Sequence, residues 1–344
     1  MAHHAGDFEV EVVADEAPDD SHSEIGSSIA SSSTSLLSSL LEHRRENGRT
    51  YHKYKEGKYQ LPNDETELDR LDLVNELCRI TLDERLGEAP PCDEGAKVGR
   101  VLDVGTGTGI WAINFGDEHP EAEILGIDLS PTQPRDVPPN VKFEIDDIED
   151  EWLFTHPFDY IHSRFMTTSI SDWPFNLAPG GWLEIQDPDI YPHSDDGTLK
   201  PGNNLTKWAD LLMDASKKLG AAYVHPPDLK ALLIEAGFED VRTITHKWPT
   251  NSWPKDPKYK EIGIWNHENF LIGLESLSMA PFTRALEWTP EEVRVFLIDV
   301  RKDGKDHGIH AYWPMYYTLG RKSLKKEEDA PAASPAPATP AAQA

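Results

Sequence analysis

The chain has 344 residues, of which 38% are apolar and 27% charged, enough to bury a sizeable core and too hydrophobic for wholesale disorder. Its 33 basic and 61 acidic side chains leave a net charge of −28. That surface repels phosphate backbones and anionic lipid headgroups, which excludes bulk nucleic-acid and membrane-surface binding and favours basic partners.

Two cysteines, Cys78 and Cys92, cannot staple a chain of this size and point to a reducing compartment. No run of about 18 apolar residues predicts a transmembrane helix. The N-terminal MAHHAGDFEVEVVADEAPDD has neither the basic nor the apolar region of a secretory signal. The expectation is a soluble intracellular protein, with no membrane insertion and no direct nucleic-acid contact.

In chain order, residues 1–34 are acidic and Ser-rich and predict a disordered tail. Residues 35–322 form one expected domain, beginning with a helical segment over 35–95. In it Leu68, Leu71, Val74, Leu77 and Leu82 recur at helical spacing. The cofactor-binding half is expected over 98–190, where VGRVLDVG, ILGIDL, VKFEID, FDYIHS and WLEIQD read as strands, with WAINFGDEH a short helix between the first two. This alternation predicts a doubly wound, mostly parallel α/β sheet with helices on its faces. LTKWADLLMDASKKL and PDLKALLIEAG follow as helices. A helical cap insertion is expected over 250–305, in an aromatic-rich region that also suits an acceptor wall or a protein-contact face. It ends in TPEEVRVFLIDVRKD, whose Thr289 and Glu292 make a capping box ahead of Val293, Phe296, Leu297 and Val300. HAYWPMYYTLGRK reads as a last strand, and 323–344 as a disordered Pro/Ala tail. RKSLKK at 321–326 is basic enough to serve as a nuclear-import signal, so nucleus and cytoplasm both stay open.

The chemistry concentrates at VLDVGTGTGIWAINF, residues 101–115. A strand ends at Asp103 and Val104, and Gly105, Gly107 and Gly109 turn the chain into a helix. Glycine permits positive φ and a close approach by a ligand. Asp128 ends the next strand, 19 residues after Gly109, where a carboxylate can accept both hydroxyls of a ribose. A dinucleotide site normally has an apolar residue in place of Asp103. A carboxylate there suits the ammonium of S-adenosylmethionine instead. Asp147 can accept from the adenine amino group while Ile148 packs on the ring.

The chain resembles the class I S-adenosylmethionine-dependent methyltransferases, and within them the LaeA-like fungal branch. The resemblance is carried by YHKYKEGKYQLPNDETELDRLDL (51–73), VLDVGTGTGIWAINFGDEHPEAEILGIDLSPTQP (101–134), LAPGGWLEIQD (177–187), LLIEAGFEDV (232–241) and HAYWPMYYTLGRK (310–322). It implies a Rossmann-like sheet of seven strands with the last antiparallel. It also implies cofactor contacts from Asp103, Gly105, Thr106, Gly107, Gly109, Asp128, Leu129, Asp147 and Ile148. Tyr51, Tyr54 and Tyr59 would lie in a segment folding over the pocket, with Tyr51 a further cofactor contact. One departure is the short crossover TTSISDWPFNLAPGG, which has no room for the usual helix and sits at the lower limit for a parallel connection.

The sulfonium is already electrophilic, so the protein mainly has to place an acceptor in line with the methyl group. His162 and Arg164, at the carboxyl end of the fourth strand, are the expected catalytic residues: His162 as a base, Arg164 as a grip for an acceptor carboxylate. No metal-ligand spacing and no Gly-x-Ser-x-Gly elbow appear. The expected activity is methyl transfer to a small molecule or a basic protein, linked to fungal secondary metabolism. The alternative is a catalytically weak regulatory module that works in a protein complex.

Overall fold

The computed structural model describes residues 43–55, 57–166, 177–221 and 223–324. The expected tail at 1–34, most of that at 323–344 and the crossover at 167–176 lie outside the described residues.

The described chain opens with a hairpin, β1 (His43–Glu46) and β2 (Arg49–His52). This stretch was expected to be helical. Asn47 and Gly48 take φ of 50° and 81°, the two-residue turn whose twist matches a hairpin. A strap, described over 53–55 and 57–62, then leads to helix α1 (Glu65–Thr81). Asp64 caps it, its side chain accepting from the Glu67 N–H.

Seven further strands make the central sheet. β3 (Arg100–Val104), β4 (Glu123–Asp128), β5 (Val141–Ile145), β6 (Phe158–Arg164) and β7 (Leu177–Pro188) run parallel. β8 (Phe238–Pro249) forms the edge, and β9 (Tyr312–Lys322) lies antiparallel between β7 and β8. The order is β5-β4-β3-β6-β7-β9-β8. The chain steps outward from β3 to β5 and resumes on the other side of β3 at β6. Such a reversal opens a crevice beyond the carboxyl ends of the strands.

Alternation along the buried strands divides the core. Val101, Ile124 and Tyr160 pack with Trp111 and Phe115 of α2 (Ile110–Glu118) on one face. Leu102, Ile161 and Leu183 pack with Leu233 of α4 (Leu229–Glu235) on the other. Leu205 and Trp208 of α3 (Asn204–Lys218) join Phe270, Leu274 and Phe282 of α5 (Pro257–Ala285) and Val293 and Leu297 of α6 (Pro290–Lys305) in a third cluster. The Thr289–Glu292 capping box is formed at the start of α6. Val74 and Leu77 on α1 pack against Trp248, Ile262, Met315 and Tyr317, which fixes α1 against the sheet's β8–β9 side. Among the described residues no helix is long and apolar enough to cross a membrane.

Candidate active site

A cleft of about 1220 Å³, open mouth included, lies at the switch point. Its floor comes from the ends of β3, β4 and β6, and its roof from the strap and α1. Asp103, Gly105, Thr106, Gly107, Asp128, Leu129, Asp147, Ile148, His162 and Arg164 all line it, as do Lys58, Tyr59, Asn63 and Glu67. Two expected contacts do not. Tyr51 is only 2% exposed, and its ring lies 4.8 Å from the Arg284 guanidinium, away from the cleft. Gly109 caps α2 at φ 80°, and a side chain there would collide with the ring of Phe143. Its smallness serves packing and helix entry rather than ligand approach. The aromatic residues of the cap are likewise absent from the lining.

The glycine turn is shaped by positive φ at Gly105 (66°) and Gly107 (57°). The space a Cβ would take on each is filled by this chain's own side chains. Met166 Sδ would stand 2.5 Å from a Cβ on Gly105, and Leu71 Cδ1 3.3 Å from one on Gly107. Asp128 is held by the turn. Its Oδ2 accepts from the Gly107 N–H at 2.9 Å and its Oδ1 from the Ser130 N–H at 2.8 Å. Burial pushes its carboxyl up to about 6, against those two N–H groups, which favour the ionised form.

Asp103 is 3% exposed and engaged on both oxygens. Thr106 Oγ1 donates to Oδ2 at 2.5 Å, and His162 Nδ1 lies 2.7 Å from Oδ1. The aspartate therefore fixes the imidazole as the Nδ1–H tautomer, leaving a lone pair on Nε2. That Nε2 is buried with no partner. The ring stacks on Trp111 at 3.7 Å and 5°, and burial holds its basicity below that of an ordinary histidine. Arg164 gives Nε–H to Gln186 Oε1 at 2.9 Å and an Nη1 hydrogen to Asn75 Oδ1 at 3.1 Å. Both partners are neutral amides.

The adenine end differs from expectation. Both Asp147 oxygens accept from the Lys58 ammonium, and Oδ1 also accepts from the Glu149 N–H at 3.0 Å. Lys58 also pairs with Glu149 at 3.0 Å, and Lys55 with Asp150 at 2.8 Å. Any adenine contact at Asp147 shares its carboxylate with the strap. Lys58 was not legible as a site residue, because nothing in sequence links position 58 to position 147.

These residues fit S-adenosylmethionine. A carboxylate at the end of β4 keeps lone pairs free for a ribose, the turn beside it is tight, and His162 Nε2 in the floor lacks a partner. Once bound, the cofactor supplies an electrophilic methyl group. The chain's part is to hold the nucleoside at Asp128 and the turn, and to shield the site under α1 and the strap.

Comparison with known proteins agrees. A family model described as a methyltransferase domain matches residues 74–243. The chain is 42% identical over 284 residues to methyltransferase pytC of Aspergillus terreus, covering 80% of this chain and 87% of that protein. It is 38% identical to the secondary metabolism regulator LAE1 of Cochliobolus heterostrophus, covering 80% and 94%. It is 34% identical to the protein-methionine methyltransferase laeA of Emericella nidulans, covering 81% and 76%. The chain belongs to the class I S-adenosylmethionine-dependent methyltransferases, in the family of these LaeA-like fungal proteins.

Proposed function

We propose that the chain methylates an acceptor bearing an anionic group, a metabolite or a segment of a basic protein, in the service of fungal secondary metabolism. The observation that carries this reading is Arg164. It lines the cleft beside the floor of the methyl-donor site, and its hydrogen-bonded partners are both neutral. A guanidinium so placed offers a two-pronged grip to a carboxylate. His162 would take the proton of an acceptor that carries one, using the Nε2 lone pair that Asp103 secures. An ionised carboxylate acceptor needs no base. The charge of −28 supports a basic protein partner, and the printed name of one relative, a secondary metabolism regulator, supports a regulatory setting.

The test is incubation with labelled cofactor, a fungal metabolite extract and basic peptides. Arg164→Ala is expected to lower kcat/KM for the acceptor about 10- to 100-fold, the worth of a charge-assisted hydrogen bond, with S-adenosylhomocysteine affinity within twofold of wild type. Equal losses in acceptor turnover and cofactor binding would assign Arg164 to the cofactor. Tight cofactor binding with no labelled product from any pool would replace catalysis by a regulatory role.

A second reading is favoured by Met166. Its Sδ packs on the glycine turn within the cleft, and one relative is a protein-methionine methyltransferase. A thioether acceptor forms a new S–CH₃ bond as the donor's breaks, and no proton is released. Mass spectrometry after incubation with S-adenosylmethionine is expected to show one added methyl on the peptide containing Met166. Its absence there, beside labelled product elsewhere, returns the assignment to an external acceptor.

A further inference from the structure

The strap over the cleft is tied down at several points. The Lys58 ammonium pairs with Asp147 and Glu149, and Lys55 with Asp150. Tyr59 lines the cleft, where burial, with the Glu67 and Asp128 carboxylates nearby, pushes its phenol well up. A further tie is His52, the last residue of β2 and only 4% exposed. Its Nδ1 lies 2.5 Å from the Tyr54 carbonyl oxygen and its Nε2 3.2 Å from the Tyr59 carbonyl oxygen. The ring thus holds the strap on both sides of Lys55 and Lys58.

A carbonyl oxygen only accepts, so both contacts are hydrogen bonds only when both ring nitrogens carry hydrogen. The neutral ring has a single N–H. Its other nitrogen then turns a lone pair toward a carbonyl oxygen, and two buried acceptors facing each other are costly. The imidazolium is the form these contacts require, and histidine is the side chain that ordinarily gives up such a proton between pH 5 and 8. Tyr54 and Tyr59 face the ring from the strap, the Tyr59 ring at 6.2 Å and 50°. His43 stands opposite it in the β1–β2 register. From the floor, Asp128 is near enough for a charge on His52 to favour its ionised form.

We propose that His52 is a positioning residue: its doubly protonated ring pins the strap over the methyl-donor cleft, and loss of one proton releases the strap. The proposal rests on the methyl-donor reading of the cleft and adds how access to it is controlled. Both contacts are made within the chain, so release should speed ligand entry and exit alike and leave affinity unchanged.

Stopped-flow fluorescence of the full chain with S-adenosylhomocysteine, read through Trp111 in the lining, tests this between pH 6.5 and 8.5. In wild type the association and dissociation rate constants are expected to rise together about tenfold with pH, the worth of one charge-assisted hydrogen bond, with Kd within twofold. His52→Gln has no proton to lose in that range and should exchange ligand fast throughout, whereas His43→Gln should keep the wild-type profile. Flat wild-type rates overturn the proposal, as does a pH profile that survives in His52→Gln or is lost in His43→Gln. A second measurement needs neither variant nor ligand. By nitrogen NMR both His52 ring nitrogens should carry hydrogen at pH 6.5. The exchange protection of the Lys58 N–H, bonded to the Lys55 carbonyl, should fall about tenfold once one is lost. A neutral ring beside an equally protected Lys58 N–H overturns the pin. If wild type binds no S-adenosylhomocysteine at any pH, the methyl-donor reading falls, and the NMR measurement decides on the pin alone.

Discussion

Asp128→Asn is expected to weaken S-adenosylhomocysteine binding by about 100-fold or more and to abolish its pH dependence. In the native site the carboxylate accepts the Gly107 and Ser130 N–H groups and retains lone pairs for two ribose hydroxyls. An asparagine has one acceptor oxygen, so its amide nitrogen must face one of those N–H groups, donor against donor. Two hydrogen bonds to a charged group are lost or weakened, each worth roughly 1.5–3 kcal/mol, and the sum corresponds to at least a hundredfold in Kd. The pH dependence follows from burial, which raises the uncomplexed carboxyl to about 6. The ribose hydroxyls need the ionised form, so protons compete with the ligand. Wild-type affinity should be flat above pH 7 and fall towards tenfold per pH unit below about 6. The uncomplexed protein has the opposite preference. A carboxyl raised in the folded state adds stability while protonated, fully below the unfolded value near 3.8, and loses it as pH rises through 6. The rise in Tm caused by S-adenosylhomocysteine should therefore be larger at pH 7.5 than at pH 5.5. A ligand-induced shift that does not change over that range would show that Asp128 is not the group that meets the ribose.

How much of this was legible in the sequence depends on what each signal measured. β3, β4, β5 and β6 were readable because a parallel strand buried on both faces is a short apolar run closed by a polar residue. The spacing from Gly109 to Asp128 was readable because one helix separates two adjacent strands, and helix and strand lengths fix that interval. β8 was not read from its residues. As an edge strand paired only to β9, FEDVRTITHKWP exposes Glu239, Asp240, Arg242 and Thr245 and is interrupted between Glu239 and Arg242. At Asp240 the backbone takes φ 54°, so the alternation is broken where a strand signal would begin. The 29-residue α5 showed no apolar stripe because it packs against α1, α3 and α6 on different sides, and even contains Pro281 near its end. The hairpin had a signal that went unused, Asn47–Gly48. The roof of the site was the least legible part. Lys58, Asn63 and Glu67 reach the cleft from an element that precedes the glycine turn, and their partners at 147, 130 and 70 share no common spacing. Only the YHKYKEGKYQLPNDETELDRLDL letters marked them, without saying what they touch.

Glu184→Ala is expected to destabilise the fold by on the order of 4 kcal/mol, a large share of the 5–15 kcal/mol that holds a typical domain together. The carboxylate lies on β7, wholly buried, yet no cation pairs with it among the described residues. It is satisfied by donors instead. Oε1 accepts from the Glu88 N–H at 2.9 Å and from Gln186 Nε2 at 2.8 Å, while Oε2 accepts from the Ala89 N–H at 2.8 Å and from Tyr160 Oη at 2.9 Å. The segment 87–89, between α1 and β3, is thereby pinned to β6 and β7. Gly87 lets it come that close, since a Cβ there would stand 2.7 Å from Glu184 Oε2. Alanine leaves four buried donors without acceptors. Glu184→Gln keeps one oxygen and should cost roughly 1–3 kcal/mol, with urea midpoints falling in the order wild type, Gln, Ala at constant m value. An alanine variant within 1 kcal/mol of wild type would mean that water replaces the carboxylate and that the segment is not held by it. The same carboxylate reaches the chemistry. By accepting a hydrogen bond from Gln186 Nε2 it turns Gln186 Oε1 toward Arg164, whose Nε–H that oxygen accepts at 2.9 Å. In Glu184→Gln that amide is free to flip, so the variant that folds should show a raised KM for the acceptor, with S-adenosylhomocysteine binding intact. Stability and acceptor positioning then trace to one buried group, which explains a charge where the packing alone would favour leucine.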